Sequence, residues 1–281
     1  MQNIYEEYLS SSQVCTDTRA IVRDCMFFAL KGDNFNGNHF VEQALERGAR
    51  IAIVDEEKAQ IPGKTILVKD CLNSLQDLAK LHRNSLTIPI IGLTGSNGKT
   101  TTKELIAAVL STKYHVFATT GNLNNHIGVP LSLLSINQKH EIAIIEMGAN
   151  HQKEIEFLAA LAKPNYGMIT NIGRAHLEGF GGIKGVLKGK KELYDYLEEV
   201  KGSVFINQTD AILTGIEPQK TTNHHYGGNS TISGEILSNS ELLNVIITIN
   251  NTQSTIKTKL VGSYNLNNIL AAACIGNHFK V

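Results

Sequence analysis

The sequence predicts an α/β protein. A small N-terminal α/β domain is expected, then a P-loop-type domain on a mostly parallel sheet, with an antiparallel extension. Three observations carry this. The apolar run Ile88-Pro89-Ile90-Ile91-Gly92-Leu93 passes through Thr94 into Gly95-Ser96-Asn97-Gly98-Lys99-Thr100-Thr101, and a helical pattern follows. Short apolar runs and helical patterns alternate from there to Asn207. Beyond Tyr226-Gly227-Gly228 the pattern turns β-rich and alternating.

The elements follow in order. Residues 1–14 open with a short helix or strand, and 15–19 are turn-like. Cys25 to Leu30 reads as a strand, 31–38 as a loop, and Phe40 to Arg47 as a helix closed by Gly48. Strands are expected at 49–54 and 65–68, and a connecting helix at 71–84. Asn84-Ser85 and Pro89 mark a boundary, giving domains at 1–84 and 85–281. In the second domain, strands are expected at 114–118, 141–146, 167–170 and 203–207, and helices near 104–110, 131–134, 153–161 and 183–199. Strands at 231–237, 242–249 and 255–260 form the antiparallel extension, and an apolar helix covers 269–275.

Composition excludes several classes. The 281 residues are 42% hydrophobic with a formal net charge of zero, which gives no basis for nucleic-acid or anionic-membrane binding. No run is long enough to span a bilayer, and residues 1–20 have no basic residue before Arg19, unlike a signal peptide. Cys15, Cys25, Cys71 and Cys274 are scattered, with neither metal nor disulfide spacing. A cytoplasmic monomer is expected.

The chemistry gathers at predicted strand ends. Glycines let backbone N–H groups face phosphate oxygens, and a helix start adds unpaired donors. Lys99 can then reach outer phosphates, and a Thr100 or Thr101 hydroxyl can meet magnesium. The usual phosphate-loop spacing asks for glycine at 93, where Leu93 stands; the glycines fall at 92 and 95. Glu146 is a hard oxygen donor at a strand end, and His176 follows another. A lone histidine is more often an ordinary surface or core residue, but this one shares the edge of the phosphate loop. Lys184, Lys188, Lys190 and Lys191 read first as a solvated helix face. A lysine facing the site would lose its proton more easily, and a neutral amine can add carbon dioxide to become a carbamate. The sequence does not select which one. Asn122, Asn124, Asn125 and His126 could orient a ligand. Asn267 or Asn268 could read an adenine edge, and each group could equally cap a helix.

Taken together, 94–101, 121–130, Glu146-Met147-Gly148-Ala149-Asn150 and 171–178 resemble the Mur ligases, ATP-dependent amide-forming enzymes of peptidoglycan precursor synthesis. The likeness extends to Thr16-Asp17-Thr18-Arg19 and 27–32. The Asn-rich and Glu-Met-Gly segments favour a member that joins D-alanyl-D-alanine to UDP-N-acetylmuramoyl-tripeptide. The resemblance implies a first domain holding the UDP-sugar end near Thr16, Asp17, Lys31 and Gly32. It implies an ATP site at Gly95, Ser96, Asn97, Gly98, Lys99, Thr100 and Thr101, with Asn268 near the adenine. Asn122 and Asn125 would lie along the substrate. Thr100, Glu146 and His176 would face Mg2+, and Lys190 matches the lysine carbamylated in relatives, where it supports a second magnesium. Lys99, His176 and Lys190 would serve catalysis. Tyr264 stands where relatives often place histidine. Relatives carry a third, C-terminal domain. This chain is expected to lack it and to ligate poorly by itself. A folylpolyglutamate-type or other Mur ligase, a nucleotide-binding module without catalysis, and a simple NTPase are the alternatives. Product analysis with D-alanyl-D-alanine against single amino acids separates the ligases, nucleotide affinity without phosphate release marks the binding module, and release without an amine acceptor marks the NTPase.

Overall fold

The computed structural model describes residues 1–281, which form two compact units. The first comprises residues 1–87 with 126–137, and the second 88–125 with 138–281.

The first unit carries α1 (Gln2–Leu9), β1 (Val14–Cys15), β2 (Met26–Phe28), β3 (Lys31–Gly32), β4 (Phe35–Asn36), α2 (Val41–Glu46), β5 (Ile51–Val54), β6 (Thr65–Leu67) and α3 (Cys71–Ser85). Its main sheet is parallel, in the order β1-β2-β5-β6. β2 and β5 are buried along their whole length, as expected of parallel strands covered on both faces. The side chain of Asp70 accepts from the backbone N of Asn73 and so caps α3.

The segment expected to be a loop at 31–38 is instead a hairpin, β3 against β4, followed by a 3-10 turn. Two-residue strands leave no alternating pattern, so sequence periodicity cannot reveal them. Gly37 is needed there, because a Cβ would lie 2.6 Å from the Ala29 backbone.

The second unit opens with β7 (Ile90–Thr94), α4 (Lys99–Leu110) and β8 (Val116–Ala118). The chain then contributes α5 (Gly128–Leu134) to the first unit, although the sequence placed all of 85–281 in one domain. Within the first unit Tyr8 donates its hydroxyl to Leu134 O at 2.8 Å, Gln76 donates to His126 O at 3.0 Å, and His82 Nε2 meets Ile136 O at 2.8 Å.

Next come β9 (Ile142–Glu146), α6 (Glu154–Ala162), β10 (Tyr166–Ile169), α7 (Leu177–Phe180), α8 (Ile183–Glu199), β11 (Ser203–Asn207), α9 (Ala211–Gly215) and β12 (Thr222–Tyr226). The chain closes with β13 (Ile232–Ser238), β14 (Asn244–Ile249), β15 (Thr252–Lys257) and α10 (Asn265–His278).

The large sheet is wholly parallel, ordered β12-β11-β10-β7-β9-β8. Strand order reverses at β7, whose neighbours are β9 and β10. Ligands in such sheets bind at that switch, beyond the strand carboxyl ends. β13, β14 and β15 form the antiparallel sheet, and with α4 and α10 they bury one core. On the other face α8 approaches closely: a Cβ on Gly167 would lie 2.5 Å from Leu197 Cδ1.

Candidate active site

The phosphate loop leaves β7 at its carboxyl end, at the switch point. Gly95 has φ +145°, and a Cβ there would sit 1.9 Å from Thr170 Oγ1, so no other residue fits without rearrangement. Gly98, at φ +75°, turns the chain into α4. The segment after β10 braces the loop. Ser96 N donates to Asn171 O at 3.0 Å, Asn97 N to Asn171 Oδ1 at 3.1 Å, and Thr170 Oγ1 to Asn97 O at 2.7 Å. With Ser96 and Asn97 so engaged, the free donors are those of the first turn of α4. Lys99 Nζ is half-buried and donates to Gly95 O at 2.9 Å. Burial lowers its pKa, opposed by the nearby Glu146 carboxylate.

Glu146 closes β9 and is only 1% exposed. Its Oε2 accepts from Thr100 Oγ1 at 3.2 Å, and its Oε1 from Asn124 Nδ2 at 2.9 Å. Adjacent oxygens on an octahedral magnesium ion lie about 2.9 Å apart, given bonds of roughly 2.0–2.1 Å. The Thr100–Glu146 oxygen pair therefore fits two neighbouring positions on such an ion. No group of three or more His, Cys, Asp or Glu side chains is placed to hold a metal.

Lys190 is the buried lysine of α8, 2% exposed, whereas Lys184 and Lys188 are exposed and Lys191 pairs with Asp195. Its Nζ lies 3.4 Å from Ala149 O and 5.3 Å from the Phe180 ring centroid. Burial, then the charge of Lys99, lowers its pKa to about 8. Of these four lysines Lys190 alone is buried.

Other expected site residues fall variously. Asn268 is buried beneath Gly98: its Oδ1 accepts from Thr102 Oγ1 at 3.0 Å, and its Nδ2 donates to Asn265 Oδ1 at 2.8 Å. Thr101 follows on the first turn of α4. His176 is exposed at the N-cap of α7, with φ +53°. Asn122 and Asn125 are exposed, and it is Asn124, between them, that reaches Glu146. The Asn-rich composition pointed to this loop; its register did not show which asparagine turns inward. The bracing role of Thr170 and Asn171 carried no signal of its own.

In the first unit a cavity of about 620 Å³ is lined by Thr16, Asp17, Thr18, Arg19, Phe35, Phe40, Gln43 and Arg47. Phe35 and Phe40 stack at 5.2 Å between centroids, and both are exposed. Arg19 forks onto Asp17 and holds its carboxyl down at about 2. Arg47 donates to Thr18 O at 2.9 Å. Lys31 does not line this cavity; it pairs with Asp55 at 2.9 Å and Glu56 at 3.2 Å. Gly32 pairs with Phe35 across the hairpin and so stands beside it.

A glycine-rich loop at the switch point of a parallel sheet, facing a paired hydroxyl and carboxylate, puts the second unit in the phosphate-loop class. Residues 93–276 match the Mur ligase middle domain and 11–83 the Mur ligase family catalytic domain; the chain belongs to the Mur ligase family. It is 38% identical over 270 residues to the UDP-N-acetylmuramoyl-tripeptide–D-alanyl-D-alanine ligase of Bacillus subtilis, covering 95% of this chain and 59% of that protein. A crystal structure of MurF from Acinetobacter baumannii superposes with a TM-score of 0.86 at 30% identity, covering 100% of this chain and 65% of the other. MurF from Thermotoga maritima, solved in complex with ADP, gives 0.83 at 27% identity, covering 97% and 64%. The chain thus spans about three fifths of the length of the curated relatives it matches. No helix is long and apolar enough to cross a membrane.

Proposed function

We propose that these residues serve the ATP-dependent joining of D-alanyl-D-alanine to UDP-N-acetylmuramoyl-tripeptide, a cytoplasmic step of peptidoglycan precursor synthesis. The Thr100–Glu146 oxygen pair beside the Lys99 loop carries the reading. The activity for which the relatives are named, and the ADP bound in one of them, support it.

The tripeptide's terminal carboxylate attacks the γ-phosphorus of ATP, giving an acyl phosphate and ADP. The amine of D-alanyl-D-alanine then attacks the acyl carbon, and the tetrahedral intermediate expels phosphate to leave an amide. Lys99 stabilises the charge on the transferring phosphoryl group, and the first-turn N–H groups of α4 bind phosphate oxygens. Thr100 and Glu146 would hold magnesium, with His176 as a further ligand. Magnesium, when bound, would neutralise charge on the phosphates. Asn124 holds Glu146 in place, and Asn268 supports Gly98 from below and would lie near the adenine.

Lys190, lowered to about 8 by burial, would reach the neutral amine that carbamate formation requires more readily than an ordinary lysine. A carbamate there would turn the cation into an anion able to support a second magnesium. The cavity of the first unit would take the UDP end, with Phe35 and Phe40 offering ring faces and Arg19 and Arg47 facing the diphosphate.

The test is phosphate release with UDP-N-acetylmuramoyl-tripeptide and ATP, with and without D-alanyl-D-alanine, on this chain and on one extended to the relatives' length. Release that requires the dipeptide in either chain supports the reading. Release indifferent to it in both would point to plain ATP hydrolysis.

A further inference from the structure

Helix α4 carries two lysines, Lys99 and, one turn on, Lys103. The phosphate chemistry uses only the first. Lys103 is fully buried, and a buried lysine must find acceptors for its three donors. Two lie close to its Nζ, Thr119 O at 2.5 Å and Glu104 Oε1 at 3.1 Å, and the carboxylate oxygen Glu146 Oε2 stands further off at 3.9 Å. They come from α4 itself, from the loop after β8 and from the end of β9.

Two of these acceptors belong to one structure. Thr119 is buried, and its hydroxyl accepts from the backbone N of Glu146 at 3.0 Å. The loop rooted at Thr119 brings Asn124 to Glu146 Oε1, and that loop closes on Gly148, whose N donates to Asn124 O at 2.7 Å. Lys103 therefore ties down both the root of the loop and the carboxylate the loop grips. Its own contact with Glu146 is longer than a hydrogen bond. It attracts Oε2 without occupying the lone pair that a cation would need.

We infer that Lys103 is a positioning residue for Glu146: it anchors Thr119 and Oε2 to α4, and so sets the direction in which the carboxylate faces a divalent cation. The inference rests on the reading of Thr100 and Glu146 as the cation-facing pair. A purely structural lysine would support the fold and leave cation binding alone.

Calorimetric ADP binding by this chain, repeated over a magnesium series, separates the two. Lys103→Met should raise the magnesium concentration for half-maximal ADP binding by about 10-fold, the scale on which groups behind a metal ligand act. ADP affinity without magnesium should not change, and Lys103→Arg should give a smaller rise. In a Glu146→Gln background, Lys103→Met should add nothing further. A folded Lys103→Met chain with an unchanged magnesium midpoint overturns the inference, as does an equal shift in the Glu146→Gln background. Should Lys103→Met not fold, Lys103→Arg carries the same two criteria. If the unsubstituted chain shows no magnesium dependence, the cation-facing reading itself fails, and the inference with it.

Discussion

The candidate sites of the two units hold their polar groups in opposite ways. In the second, Glu146, Lys190 and Lys103 are buried, and each is fixed by neighbours before any ligand arrives. In the first, the Arg19 side chain is 86% exposed and its Asp17 partner 43%. Buried polar groups are costly to disturb, because their partners lose water as well as the contact. Exposed pairs are screened and contribute little to stability. Substitutions at the second unit's site should therefore move fold and binding together, whereas those in the first unit's cavity should move binding alone.

The largest effect is expected at Gly95. Alanine would meet Thr170 Oγ1 in a backbone conformation it rarely adopts. Strain and overpacking together predict a loss of about 2–4 kcal/mol in unfolding free energy, with ADP binding lost as well. Denaturant unfolding and calorimetry measure the two. A Gly95→Ala chain as stable as its parent would mean that the loop and Thr170 can shift apart, breaking the contrast between units at its strongest point.

Lys190 should show the reverse sign. Its folded pKa, about 8, lies below that of an unfolded lysine. Below pH 8 both states are protonated, and the fold carries the full cost of burying the charge. As pH rises from 8 towards about 10.4 the native state loses its proton first, so stability rises. Lys190→Met is therefore expected to stabilise the chain at pH 7 by up to about 3 kcal/mol, with the gain fading as pH rises. A gain that does not change with pH would show that packing, rather than charge, sets the difference. Under bicarbonate at pH 8 or above, intact-mass analysis of the parent chain should show the added mass of one carbon dioxide.

Lys99→Ala removes a half-buried amine that donates to loop carbonyls. ADP binding in magnesium should weaken about 10- to 100-fold, the equivalent of roughly 1.5–3 kcal/mol for a charge-assisted hydrogen bond. Arg47→Ala, in the first unit, should leave stability within about 0.5 kcal/mol while weakening UDP binding by about 1 kcal/mol or more. Equal losses of stability in the two variants would erase the distinction between the units.

How much could be read from sequence follows the same division. The phosphate loop, Glu146 and the parallel sheet were legible because β7 and β9 are continuous apolar runs ending on chemistry-bearing residues. β12 was missed because Thr222-Asn223-His224-His225-Tyr226 is polar, and its pairing with β11, not its composition, makes it a strand. Residues 126–137 follow the Asn-rich loop without a break in pattern, so their membership of the first unit emerges only from contacts such as that of Tyr8 with Leu134 O. Lys103 was hidden for a simpler reason. A lysine on a helix reads as solvated, and only three-dimensional packing places it under Thr119.

The smallest effect sharpens the comparison from the first unit's interior, where His82 is its counterpart to the second unit's buried groups. It is 7% exposed, with Nε2 on Ile136 O and Nδ1 unpartnered. Burial lowers its pKa, only partly offset by the Ile136 carbonyl. The unfolded chain then takes up the proton first, so stability is full above about pH 6.5 and falls as the solution is acidified. His224 and His278 in the second unit are lowered by burial in the same direction, so each unit contributes to acid sensitivity. His82→Gln keeps an amide able to reach Ile136 O and removes the titrating group. Thermal unfolding of the two chains between pH 7 and 5 should start nearly level and then diverge in favour of His82→Gln. Parallel curves would show that His82 adds nothing to the acid sensitivity, and would leave it to the other titrating groups of the two units.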